Sequence, residues 1–141
     1  MTNEQIVEIN NNLKHDRITI IDYKAFFDDT NCRFSLDEIN DLQELKRILG
    51  RISIDDRFAK VYVSMYYDKL EDIHKNMFWY SDIIILDTNM TRNEIENYFV
   101  DCDFEPSDFI EQEEQLHLVS IDGKNNVYKK KCKNLISIYW D

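Results

Sequence analysis

The clearest pattern in the chain is a helical one: Leu36, Ile39, Leu42, Leu45, Leu49 and Ile52 recur at intervals of three and four and form one apolar stripe. Ser35 and Glu38 stand before it at capping-box spacing, Phe34 and Ile39 at staple spacing, and Gly50 where a left-handed C-terminal cap is expected. Acids on its outer face come first (Asp37, Glu38, Asp41, Glu44) and bases follow (Lys46, Arg47, Arg51), which complements the helix dipole and asks for no functional explanation. A second helix is predicted after Thr91. Thr91 and Glu94 form a capping box, Met90 and Ile95 have staple spacing, and Ile95, Tyr98, Phe99 and Cys102 share a face. Thr2 with Gln5, followed by Ile6, Ile9 and Leu13, predicts a short helix at the start; residues 25–31 read as a turn or short helix, and 69–75 as a helical turn.

A different pattern marks residues 82–87, where Ile83-Ile84-Ile85-Leu86 is bounded by Asp82 and Asp87. A short apolar run of this kind is a strand covered on both faces, and its β-branched content supports that over a buried helix. Residues 17–23 read as another strand. Residues 58–67 satisfy both periods, and their β-branched and aromatic content selects strand. Near the C-terminus, apolar alternation over 115–121, the turn signal Asp122-Gly123, residues 127–131 and then Ile136, Ile138 and Trp140 predict an antiparallel three-strand meander. Pro106 and Ser107 mark a break, with residues 108–114 expected as a short acidic helix or loop. The fold expected is α+β: one domain over residues 1–141, two or three helices packed on a mixed or mainly antiparallel sheet ending in a meander.

Composition adds that the chain can fold, since 43% hydrophobic and 13% aromatic residues supply enough apolar area to offset chain entropy despite 32% charge. At 141 residues it buries about two thirds of its unfolded surface. Cys32, Cys102 and Cys132 show no paired spacing and suit free thiols in a reducing compartment. No positive, apolar leader opens the chain, and the longest aliphatic run is four residues, so neither a signal peptide nor a membrane span is expected, and the setting expected is cytoplasmic.

Charge changes the picture most. The net charge of −11 divides unevenly: residues 1–123 hold 27 acids against 12 bases, residues 124–141 one acid against five bases. Between Arg92 and Lys124 there is no lysine or arginine but there are ten acids. Such a charge repels nucleic-acid phosphate and anionic membrane and attracts cationic surfaces.

Motifs for chemistry are sparse. Asp101-x-Asp103-x-Glu105 opens like a calcium loop, but Pro106 and Gln112 occupy the positions that require Gly and Glu. His15, His74 and His117 share no metal-ligand spacing with each other or with the cysteines. Asp82 and Asp87 flank the central strand, where α/β enzymes keep catalytic carboxylates, yet strand-end roles are commoner for such residues. Lys129-Lys130-Lys131-x-Lys133 reads as an edge-strand guard or as an internal counter-charge to the acids. No catalytic residue, metal site or cofactor is assigned.

What remains is a binding surface: Asp101, Asp103, Glu105, Asp108, Glu111, Glu113 and Glu114, with Trp79 and Tyr80 as aromatic anchors, because electrostatics raise on-rate and specificity while aromatics carry affinity. The partner expected is a basic protein, with no direct nucleic acid and no membrane. The function expected is a small cytosolic inhibitor, most concretely an immunity protein against a nuclease-type bacterial toxin. The alternatives are a phage anti-defence protein imitating nucleic-acid charge, which would bind a nucleic-acid-binding defence protein, and an enzyme with a non-obvious site, which requires a pocket of convergent polar groups.

Overall fold

The structure, a computed structural model, describes Val7 and residues 18–29, 32–36, 38–65, 79–112, 116–121, 127–132 and 135–140; for Ile18, Trp79, Gln112 and the strands over 116–121 and 127–132 it describes the backbone alone. Apart from Val7, the expected first helix lies outside these residues, as do the turn over 69–75 and Asp122-Gly123.

In chain order the elements are β1 (Ile18–Asp22), α1 (Tyr23–Asp28), β2 (Cys32–Phe34), α2 (Ile39–Asp55), β3 (Lys60–Ser64), β4 (Trp79–Ser81), β5 (Ile83–Asp87), α3 (Arg92–Asn97), β6 (Asp108–Gln112), β7 (Leu116–Ile121), β8 (Val127–Cys132) and β9 (Leu135–Tyr139). Seven strands form one sheet in the order β6-β9-β5-β3-β1-β7-β8, antiparallel except for β1 against β7, and β2 pairs parallel with β4 apart from it. Among the described residues, three helices of known bounds on a mostly antiparallel sheet make this a small α+β domain, as the residue patterns predict.

Strand alternation builds two apolar layers. Ile21, Val61, Val63, Ile84, Leu86, Ile136 and Ile138 join the helix residues Phe26, Leu45, Ile48, Leu49, Ile52 and Ile95 in the main core. On the other face Ile20, Tyr62, Ile85 and Leu135 are also buried, with Ile83 packed against them. The doubly covered strand expected at 82–87 is therefore present, in the interior of the sheet between β9 and β3.

Four expectations are corrected. The first is the start of α2: β2 pairs with β4 up to Phe34 and the Ser35 amide donates to the Ser81 carbonyl (2.9 Å), so the amide that a capping box would give to Glu38 is already bonded elsewhere. The helix begins instead after Glu38, which makes no side-chain cap bond; Phe34 is buried among Phe26, Phe27 and Trp140, and Ile39, its supposed staple partner, is 71% exposed. Second, Gly50 does not end the helix, which runs on to Asp55 because Ile52 continues the buried stripe. Third, the acidic segment after Pro106 forms β6 rather than a helix or loop, since Phe109 alternates into the core and the backbone pairs with β9.

Fourth, the terminal strands do not form a meander of consecutive neighbours. β7 and β8 pair as a hairpin, but β9 inserts between β5 and β6 on the far side of the sheet. Leu135, Ile136, Ser137 and Ile138 are all buried, and only an interior position covers both faces of a strand.

Candidate functional site

Residues 98–112 take their position from aromatic anchors. Phe99 lies against Trp140 (ring centroids 5.8 Å apart) and against Phe109 of β6 (5.7 Å), while Trp140 also packs on Phe34 (5.4 Å). The indole N–H of Trp140 donates to the Phe104 carbonyl (2.9 Å) in a buried hydrogen bond, and Phe104 itself is buried. At Ser107 both the amide (2.8 Å) and the hydroxyl (3.0 Å) donate to the Tyr139 carbonyl, leading the chain into β6. A segment dense in carboxylates is thus tied to the sheet by its apolar residues.

The carboxylates between those anchors face water. Asp101, Asp103, Glu105, Asp108 and Glu111 are all exposed, and among the described residues none of the five makes an ion pair. The nearby cation Arg92 is bound at 2.8 Å to Glu96 of its own helix and lies in the field of Asp108 and Glu111. The lysine-rich strand β8 occupies the opposite edge of the sheet, six strand spacings from β6, or about 29 Å at ~4.8 Å per spacing. The backbones that carry Lys129, Lys130 and Lys131 and those that carry Asp108 and Glu111 therefore belong to the two opposite edge strands. Val100 (60% exposed) and Ile110 (38%) add apolar surface among the acids.

Five of the seven carboxylates read from the sequence are described, and each is exposed; Glu113 and Glu114 lie outside the described residues. The aromatic anchors enter elsewhere. Tyr80 is half-buried in β4, on the separate two-stranded sheet, and for Trp79 only the backbone is described. Asp82 and Asp87 lie at opposite ends of β5, so they do not converge.

Beside this surface α2 and the turns after α3 enclose a polar groove of about 370 Å³, lined by Glu44, Arg47, Arg51, Asp55, Asn97, Tyr98, Asp101 and Cys102. Four of its groups are paired with one another, Glu44 with Arg47 and Asp55 with Tyr98. Arg47 binds Glu44 through Nε (2.9 Å) and Nη2, which holds the Glu44 carboxyl below the usual carboxylate range. Tyr98 donates its hydroxyl to Asp55 under the Arg51 guanidinium, and burial first, then that bond, pushes the phenol up to about 12, so it stays a donor. Burial and the Glu44 charge raise the Cys102 thiol, and burial, then Asp29, pushes Cys32 up to about 12. Neither thiol is a ready nucleophile at neutral pH. Sequence reasoning missed this groove because its members lie some forty residues apart in two elements whose packing angle no local pattern encodes.

Among the described residues no three His, Cys, Asp or Glu side chains converge to hold a metal, and no helix is long and apolar enough to cross a membrane. The side chains of His117 and Cys132, and all of His15 and His74, lie outside that description. No family model, curated protein or solved structure matches the chain, so the site is read from its own geometry.

Proposed function

We propose that this chain is a small acidic inhibitor that occupies the cationic cleft of a basic protein, most concretely an immunity protein against a nuclease-type bacterial toxin. One observation carries the reading: Asp101, Asp103, Glu105, Asp108 and Glu111 stand exposed and without ion pairs among the described residues, on a segment anchored by Phe104, Phe109 and Trp140. A nuclease must hold phosphate and so presents positive potential in its channel; a rigid array of carboxylates competes for that channel and is steered to it from a distance. Anchoring lowers the ordering cost of binding, and Val100 and Ile110 supply apolar contact at the same surface. A cytoplasmic setting suits this role and suits the free thiols Cys32 and Cys102.

The test is joint reversal of Asp103, Glu105, Asp108 and Glu111 to Lys, with affinity for a panel of basic bacterial nuclease domains measured at two salt concentrations. The wild-type chain is expected to bind and inhibit at least one domain, more weakly as salt rises, and the reversed chain to lose at least a hundredfold in affinity while keeping its circular dichroism. Equal affinity of the two chains removes the segment from the site. Absence of inhibition across the panel, with displacement of duplex DNA from a DNA-binding protein, replaces the toxin by a nucleic-acid-binding partner.

A further inference from the structure

We propose that the outer edge of β6 is a strand-docking site that takes an extended basic segment of the partner by β-addition; this rests on the reading above and specifies how the same surface would engage. Backbone geometry identifies the open groups. The Trp140 amide donates to Asp82 at the end of β5, so the even-numbered residues of β9 face β5 and its odd-numbered residues, Leu135, Ser137 and Tyr139, face β6. Donation from the Ser107 amide to the Tyr139 carbonyl agrees with that assignment. Their register partners Asp108, Ile110 and Gln112 therefore direct their backbone groups at β9, and Phe109 and Glu111 direct theirs outward. Among the described residues no strand pairs with this edge.

One outward group is already occupied: the Phe109 amide donates to its neighbour's carboxylate, Asp108 Oδ1, at 2.8 Å. The Phe109 carbonyl and the Glu111 amide and carbonyl remain, a run suited to one short added strand. Phe109 packs its side chain into the core and fixes the edge, while Ile110 is 38% exposed on the opposite face. A docked strand with lysine or arginine beside Glu111, on the Phe109 side of the strand, and an apolar side chain beside Ile110, on the other, matches both charge and alternation, with Asp108 adding negative charge at the strand's start. A second copy presenting its own β6 sets like carboxylates against each other, which is destabilising.

The experiment titrates ¹⁵N-labelled protein with the capped peptide acetyl-(Lys-Val)4-amide and follows amide exchange, alongside a peptide of equal charge in which one central Val is replaced by Pro. Expected is saturable binding that slows exchange of the Glu111 amide at least tenfold, with the Pro peptide binding at least tenfold more weakly. Glu111→Gln, which keeps the amide donor, should weaken binding only a few-fold, and Glu111→Pro, which removes it, should abolish the difference between the peptides. Equal binding of both peptides without protection of Glu111 overturns strand addition while leaving the charge-based reading of the surface intact. Binding of neither peptide overturns it as well, and so does concentration-dependent self-association that protects Glu111 without peptide, because the occupant is then another copy of the chain.

Discussion

Two segments of this chain carry the same start signal and use it differently. At Thr91 the box closes: the Thr91 hydroxyl accepts from the Glu94 amide (3.2 Å), the Glu94 carboxylate accepts from the Thr91 amide (3.5 Å), Met90 packs on the core and Ile95 is fully buried. At Ser35 the same spacing produces no cap. The difference lies in what precedes each box. Thr91 follows a turn held by Asp56, which accepts from the Thr88 hydroxyl (2.7 Å) and the Asn89 amide (3.2 Å) and leaves the next residues free for local bonds. Ser35 follows Phe34, whose ring is fixed between Phe27 and Trp140 while β2 pairs with β4, so the Ser35 amide is already engaged by the Ser81 carbonyl. A cap is worth about 1 kcal/mol and burial of a large aromatic side chain about 2–3 kcal/mol, so the anchored strand wins.

The largest effect is expected from breaking the anchor. Phe34→Ala removes a side chain only 5% exposed and should cost about 3–5 kcal/mol in urea unfolding, because a cavity opens beside Trp140. An effect below about 1 kcal/mol would mean that β2, rather than its aromatic ring, displaces the cap.

Next comes the pin that leads into Thr91. Asp56→Asn should cost about 1–2 kcal/mol at neutral pH, since it weakens charge-assisted bonds from Thr88, Asn89 and Phe58. The Thr88 hydroxyl foremost, and the amides with it, hold the Asp56 carboxyl below the ordinary aspartate range. Its contribution is therefore complete above the unfolded value, near about 4, and is lost as pH falls through the lower folded value. Wild type and variant should differ at pH 7 and converge on acidification below that range. A gap that stays constant would assign the effect to packing.

The smallest effects sharpen the comparison directly. Thr91→Ala should destabilise by about 1 kcal/mol. Ser35→Ala should be neutral or slightly stabilising, because the Ser35 hydroxyl is buried and, among the described residues, has no hydrogen-bond partner. Equal losses at the two positions would contradict the structural assignment of both boxes.

The acidic surface shows the same division between local and tertiary information. That residues 93–123 lack lysine and arginine is plain in the sequence, and so is the exposure of charge. Less legible was the role of Phe104 and Phe109, which belong to no apolar face in the sequence pattern, and of Phe99, which the pattern places only on a helix face; Phe99 and Phe104 act as anchors because Trp140, more than thirty residues away, meets both. Nor could any local pattern place β8 and β6 at opposite edges of one sheet, which separates the lysines from the edge-strand acids.

By itself the sequence determined what short-range chemistry decides: the buried strand at Ile83–Asp87, the apolar stripe of α2, the closed box at Thr91 and the excess of carboxylates, since each depends on periodicity or on bonds reaching three or four residues. Only the tertiary structure decided where α2 begins, that the acidic segment is an edge strand and that β9 lies between β5 and β6. Those outcomes depend on which strand acquires two covered faces, and that is a competition among residues far apart in the chain.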